Sequence, residues 1–188
     1  FRMIGILIRG SQAVVRRMLS IERSGIRLIR WFNRRNSDEL AVFQNLYCKI
    51  FTKKKKKIVE GTWDIKFRGK ELKLPLRNEN SWLDWDNAIS IVGHDPEIKM
   101  TYDNLLAHNP RLKVFFDVGA NYGTHSLLFL SQGIRAVAFE PNPGLKKEFD
   151  LFCDLNNLNG NMENYAIGDK TGSVNFWYPE HATWLGTI

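Results

Sequence analysis

Cysteine is scarce in this 188-residue sequence, and its two cysteines, Cys48 and Cys153, form no CxxC pair. They lie far apart in sequence, so we expect a reducing, cytoplasmic location with no disulfide clip and no metal site. No apolar run approaches the roughly 18–20 residues that cross a bilayer. The sequence also lacks Gly-x-Ser-x-Gly, HExxH and a Walker lysine after a glycine loop, so it gives no indication of the enzyme classes that depend on them.

Positive charge is concentrated at one end of the chain. Residues 1–57 hold 15 Lys and Arg against 3 acids, which leaves 12 against 17 in the remainder, so the first part carries +12 and the rest −5. The pI near 9.5 therefore describes this N-terminal arm. It is no evidence that the remainder of the chain prefers polyanionic ligands.

The arm has the spacing of an amphipathic helix. Apolar residues recur every three or four positions from Ile4 to Phe32, with arginines mostly between them, and Gly25 is the expected break. One interpretation is peripheral contact with a membrane or a partner, helped by the lysine run 53–57. The other is a helix packed on its own domain with a solvated basic face. Nucleic acid is a disfavoured partner, because single-strand readers interleave aromatic and basic side chains and the lysine run has only Phe51 beside it.

Residues 58–110 are predicted to form a small accessory region of a hairpin and two helices. Alternating apolar residues predict a hairpin from Gly61 to Leu76, divided by the turn 68–70. A helix follows with Trp82, Trp85 and Ile89 at helical spacing, and another is expected over Glu97–His108. The expected inward residues of that second helix are Ile98, Tyr102, Leu105 and Leu106. We interpret Trp63, Trp82 and Trp85 as core residues, with a substrate platform as the alternative.

Residues 111–188 alternate between strand and helix patterns. Lys113–Val118 predicts a buried strand, the turn 119–123 follows, and Thr124–Gln132 predicts a helix that Gly133 ends. Ile134–Phe139 predicts the next strand, and Asn142 is the expected N-cap of a helix that reaches about Asn157. Further strands are expected over 161–167 and 173–178. The pattern predicts an α/β fold with a parallel sheet.

The glycine spacing separates two classes of cofactor. A dinucleotide-binding turn needs GxGxxG, so that backbone amides can face a pyrophosphate. This chain has Asp117-x-Gly119-x-x-x-Gly123, with Asn121 in place of the middle glycine. An acid there would repel a pyrophosphate but can balance the cationic groups of S-adenosylmethionine. Glu140, at the end of the next strand, is the candidate to accept both ribose hydroxyls.

Three motifs in order resemble those of the FkbM-type methyltransferases. They are the segments 117–126 (DVGANYGTHS), 139–143 (FEPNP) and 166–172 (AIGDKTG). The resemblance covers about 113–178 and implies a class I, Rossmann-like sheet that binds S-adenosylmethionine. By position, it places Asp117, Gly119, Asn121 and Gly123 at the methionine end. It also places Glu140 at the ribose and Asp169 near the adenine, with Thr124 and Asn142 as adjacent candidates; taken singly, each of these eight residues is also explained by turn or cap chemistry.

The expected activity is O-methylation of a hydroxyl on a sugar-containing or lipid-like small molecule or glycan. Only 71 residues follow Asp117, and the resembled sheet has seven strands, so we expect a fragment that holds the first strands alone. The acidic Asp-x-Glu-Gly motif of the resembled fourth strand is missing, and no catalytic base is identified. His125 is expected to be exposed or capping, and His181 has no assigned place. The alternatives are an NAD-dependent Rossmann oxidoreductase and a non-enzymatic membrane or partner adaptor that uses the arm.

Overall fold

The computed structural model describes residues 2–32, 34, 58–93, 95–178 and 186. The lysine run 53–57, Cys48 and His181 lie outside the described residues, as does the side chain of Trp82. The chain folds as two compact units, Phe1–Lys99 and Met100–Ile188. Each unit has its own core.

Two helices, α1 (Arg2–Leu19) and α2 (Glu22–Phe32), occupy the described part of the arm. The predicted break at Gly25 is wrong, because the chain bends at Ser20 and Ile21. There the Ser20 hydroxyl donates to the carbonyl of Arg17, and the amide of Val59 donates to the carbonyl of Leu19. Both bonds take acceptors that a continuing helix would use. No helix in the described ranges is long and apolar enough to cross a membrane.

The predicted hairpin is confirmed as β1 (Gly61–Phe67) and β2 (Lys70–Leu76), which pair antiparallel. Its two-residue turn has positive φ at Arg68 (46°) and Gly69 (75°), as such turns require. Helix α3 (Ser81–Gly93) packs on both strands. The rings of Trp63 and Trp85 meet edge to face at 5.2 Å between centroids and are buried, so these two tryptophans are core residues, as predicted.

The next helix, α4 (Pro96–His108), confirms the predicted element but not its inward face. Ile98 and Leu105 are 40% and 42% exposed, so their predicted burial is wrong. The face of α4 that packs inward is narrower than the sequence indicated. Its contact runs through the half-buried Tyr102, whose ring lies against those of Phe115 and Phe129.

The second unit is built around a parallel sheet. Strands β3 (Val114–Val118), β4 (Arg135–Phe139) and β5 (Asn161–Glu163) lie side by side in that order. Helix α5 (Thr124–Ser131) joins the first two strands, and α6 (Pro143–Asn156) joins the second pair. The predicted α/β class is thereby confirmed, with a three-stranded parallel sheet and an antiparallel hairpin.

Register brings the carboxyl ends of the three strands to one edge. Val118 lies opposite Phe139, and Phe139 lies opposite Glu163. The core of this unit lies between the sheet and the two connecting helices, where these side chains are buried: Leu127, Leu128, Phe129, Ala138, Phe149, Phe152 and Met162. The turns that leave the strands are therefore held against a packed base.

Two predicted strands are not found as predicted. The third strand ends at Glu163, because the amide of Tyr165 donates to the carbonyl of Glu163 and turns the chain out of the ladder. Residues 173–178 form no strand beyond a single bridge at Trp177. The rings of Phe176 and Tyr178 do share a side, at 5.8 Å between centroids. Their alternation is real, but no neighbouring strand in the described residues pairs with it.

The reactivity of the buried Cys153 thiol tests how closely α6 is packed. Desolvation raises the pKa of the Cys153 thiol from its ordinary 9.0 to about 11. In a Cys48→Ser variant at pH 8, we expect Cys153 to react with a disulfide reagent far more slowly in the native state than in urea, because the thiolate is scarce and covered. Since the pKa is raised on folding, the stability this thiol contributes is full below pH 9 and is lost as pH rises towards 11. Equal reaction rates in both states would contradict the burial.

Candidate functional site

The glycine turn, residues 119–123, begins directly after β3 and is hydrogen-bonded to the end of β4. The carbonyl of Phe139 accepts hydrogen bonds from the amides of Gly119 (2.9 Å) and Ala120 (3.1 Å). Gly119 has φ of +71°, a conformation that L side chains rarely adopt, and no atom lies within 4 Å of where its Cβ would be. The backbone is therefore open on one side at Gly119, which allows close approach of a ligand.

Gly123 serves a different purpose in the same turn. It is the N-cap of α5, with φ of +70°. A Cβ at this position would overlap the ring of Phe149 on α6, which is fully buried. This second glycine therefore allows two helices to pack closely and does not line an open space.

Asp117 anchors the first turn of α5. Its Oδ2 accepts from the amide of Ser126 (3.1 Å) and from the Ser126 hydroxyl (2.7 Å). The N-cap of this helix is a glycine and makes no side-chain cap, so Asp117 supplies the carboxylate that a capping residue would otherwise provide. The predicted role of Asp117 was to face the cofactor, whereas this oxygen faces the helix.

Glu140 connects the turns that follow β3 and β4. Its Oε2 accepts from the amide of Asn121 (3.0 Å) and its Oε1 from the amide of Asn142 (2.9 Å). The side chain is 7% exposed. Because a carboxylate has about four acceptor positions, two such bonds leave acceptor capacity for a ligand. Glu140 can both hold the turns and accept hydrogen bonds from hydroxyl groups.

The remaining predicted residues lie beside these. Asn142 is confirmed as the N-cap of α6, since its buried Oδ1 accepts from the amide of Gly144 (3.0 Å) and Pro143 follows it. Thr124 is the first residue of α5 and is half-buried. Asp169 is exposed in the segment after β5.

An open cleft of about 370 Å³ lies at this edge of the sheet. Of the eight predicted site residues, Gly119, Asn121 and Glu140 line it, whereas Asp117, Gly123, Thr124, Asn142 and Asp169 do not. The sequence reasoning missed the mainly apolar remainder of the lining: Val118, Phe139, Pro141, Tyr165, Ala166, Ile167, Phe176 and Gly186. The strand predicted over 161–167 was the available signal, since it placed Tyr165 and Ile167 near the end of the third strand.

Asn121 lines the cleft and carries an unused acceptor. Its backbone is left-handed, with φ of +54°. Its Oδ1 is buried and finds no hydrogen-bond partner among the described residues. A buried polar atom without a partner costs about 1–3 kcal/mol, and a ligand that donates a hydrogen bond would offset that cost. The described residues contain no group of three or more His, Cys, Asp or Glu that could hold a metal.

His125 has a partner that the sequence did not indicate. Its Nδ1 lies 2.9 Å from the hydroxyl of Tyr102, and the two rings meet edge to face. The residue is half-buried and its ring lies against that of Tyr102, so the predicted exposure is wrong. In this position His125 links α4 to the first turn of α5.

The two glycines of the turn should respond differently to alanine. Both substitutions impose the left-handed penalty of roughly 1–2 kcal/mol. Gly123→Ala must also displace the Phe149 ring, which adds about 1–3 kcal/mol of overpacking. We therefore expect urea unfolding to show a clearly larger loss for Gly123→Ala than for Gly119→Ala. Equal losses would mean that the α5–α6 contact is not as close as described.

Comparisons with models of protein families, with curated proteins and with solved structures give no match. The function is therefore inferred from the residues of the cleft.

Proposed function

We propose that this chain binds S-adenosylmethionine in the cleft and is a class I, Rossmann-like methyltransferase. The observation that carries the proposal is a pair of residues that line the cleft, Glu140 with its buried carboxylate and Asn121 with its unpartnered amide oxygen. Both belong to turns at the carboxyl ends of parallel strands, where open α/β sheets bind their ligands.

The cleft has the size and lining that a nucleoside cofactor requires. Its volume of about 370 Å³ lies within the range of roughly 300–1,000 Å³ of small-molecule sites. Glu140 retains acceptor positions for two ribose hydroxyls, and Tyr165 and Ile167 offer apolar surface for a flat base. This lining supports a ligand with a sugar and an aromatic ring.

Asn121 favours the sulfonium cofactor over a dinucleotide. A pyrophosphate carries acceptors alone, so it cannot satisfy the buried Oδ1 of Asn121. The amino group of S-adenosylmethionine is a cationic donor that can bond to this oxygen. The oxidoreductase alternative is disfavoured for the same reason.

When bound, S-adenosylmethionine supplies an electrophilic methyl group on its sulfonium. The acceptor implied by the sequence resemblance is a hydroxyl on a sugar-containing or lipid-like metabolite. Holding that oxygen in line with the methyl group supplies much of the rate enhancement for such a transfer. The residues that line the cleft bind and orient the cofactor, and we assign none of them the role of a base.

Two asparagines offer a matched pair of substitutions. Asn121 (φ +54°) and Asn157 (φ +52°) share a left-handed backbone, but Asn157 is the exposed C-cap of α6 and does not line the cleft. In calorimetric titration with S-adenosylhomocysteine, Asn121→Ala should weaken binding roughly 10- to 100-fold, because a bond to a charged group is worth about 1.5–3 kcal/mol. Asn157→Ala should leave the Kd unchanged within about twofold while costing similar backbone strain.

Two results would overturn the proposal. The first is a folded protein that binds neither S-adenosylmethionine nor S-adenosylhomocysteine. The second is enhanced NADH fluorescence on mixing, with no heat from S-adenosylhomocysteine, which would revive the oxidoreductase. If both asparagine variants lose binding equally, the assigned role of Asn121 is wrong.

A further inference from the structure

Helix α2 is held to its own unit by one face. Gly25 and Ile29 are buried, and a Cβ on Gly25 would overlap Val59. Ile29 reaches Gly61 at the start of β1, with its Cδ1 3.6 Å from where a glycine Cβ would lie. The apolar face of α2 is therefore already covered, and any further contact of this helix must use its other side.

The opposite side of α2 is a row of arginines. Arg23, Arg27 and Arg30, which we call the arginine face, are all exposed and follow one another at spacings of four and three residues. Residues at these spacings lie on one side of a helix. None of the three forms an ion pair with an acid in the described part of the chain.

Its surroundings keep this surface positive. Residues 2–34 carry eight arginines and a single acid, Glu22. Arg30 borders a depression whose other lining residues are Arg34, Asp64, Lys66 and Glu71, so the cations there still outnumber the acids. The arginine face therefore presents a field that attracts anions.

Three exposed apolar side chains lie on α1, on α2 and at the bend between them. Val14 on α1 is 59% exposed, Ile21 at the bend is 51% exposed, and Trp31 beside the arginine face is 38% exposed. Arg17 lies between Val14 and Ile21 in sequence and is exposed as well. Phosphate groups offer aliphatic side chains no favourable contact. The boundary between the headgroups and acyl chains of a bilayer does offer one, and tryptophan is enriched at that depth.

We propose that the arginine face docks the first unit on the surface of an anionic lipid bilayer. Binding is mainly electrostatic, because the apolar face of α2 is used within the unit and the exposed Val14, Ile21 and Trp31 are too few to anchor the protein alone. A nucleic acid would satisfy the arginines but not the exposed aliphatic residues. The contact therefore requires anionic lipid and weakens as salt is added.

Vesicle co-sedimentation tests this with a charge-matched control. The whole chain should bind vesicles of phosphatidylcholine with phosphatidylserine, fail to bind phosphatidylcholine alone, and dissociate as salt rises. The variant Arg23→Gln/Arg27→Gln/Arg30→Gln should lower the apparent partition coefficient by about a hundredfold, given the contribution of each basic residue near such a surface. The control Arg111→Gln/Lys147→Gln/Lys170→Gln removes the same charge from exposed residues of the second unit and should bind as the wild type does.

Three outcomes would overturn the proposal. Equal losses in both triple variants would show that net charge alone drives binding. Absence of binding to anionic vesicles would remove the lipid surface as partner. Preferential binding of a single-stranded RNA oligonucleotide, measured by fluorescence polarisation at the same salt, would assign the arginine face to nucleic acid. Thermal unfolding of each variant verifies the fold. Titration with S-adenosylhomocysteine tests the cleft separately, so none of these outcomes bears on the proposed cofactor.

Discussion

The carboxylate of Glu140 is the one group on which the cleft depends. It bonds to the amide of Asn121 in the turn after β3 and to that of Asn142 in the turn after β4. Bonds from amides to a charged acceptor are worth about 1.5–3 kcal/mol each, and in this buried position water cannot easily replace them. Without this bridge, the turn after β3 would be joined to β4 only through the two bonds to the carbonyl of Phe139, and the two walls of the cleft would be less firmly coupled.

The motif around this bridge divides between residues that shape the turns and residues that face the cleft. Asp117 fixes the start of α5, Gly123 allows the approach of Phe149, and Asn142 caps α6. Gly119 and Asn121 line the cleft, the first with open backbone and the second with an unused acceptor. A chain that must build both helices and bind a ligand from one short turn needs both kinds of residue. This need accounts for why eight candidate positions yield three that line the cleft.

Elements decided by local chemistry could be predicted from the sequence. The cap at Asn142, the glycine after α5 and the position of the hairpin turn depend on neighbouring residues and were found, although the turn is one residue shorter than the predicted 68–70. The bend at Ser20 and the early end of β5 were not predicted, because distant or strand-terminal hydrogen bonds decide them. The inward face of α4 was predicted wrongly for a related reason. The contact of Tyr102 with its aromatic partners depends on tertiary packing, which helical spacing alone does not specify.

The candidate site was predictable in position but not in detail. Glycines and an acid at successive strand ends located the cleft, because parallel strands bring their carboxyl ends together. The unused oxygen of Asn121 depends on a left-handed φ and on burial, which no residue pattern specifies. Nor could the pattern show that the carboxylate of Glu140 holds two backbone amides.

Amide hydrogen exchange, followed by NMR, tests the bridge most directly. In the wild type, the amides of Asn121 and Asn142 should exchange slowly. In Glu140→Ala both amides should exchange at least about tenfold faster, because each such bond contributes more than about 1.4 kcal/mol. Both should stay protected in the control Glu163→Ala, because the carboxylate of Glu163 bonds to the Asn161 side chain and not to these amides. Unchanged protection of Asn121 and Asn142 in Glu140→Ala would contradict the account.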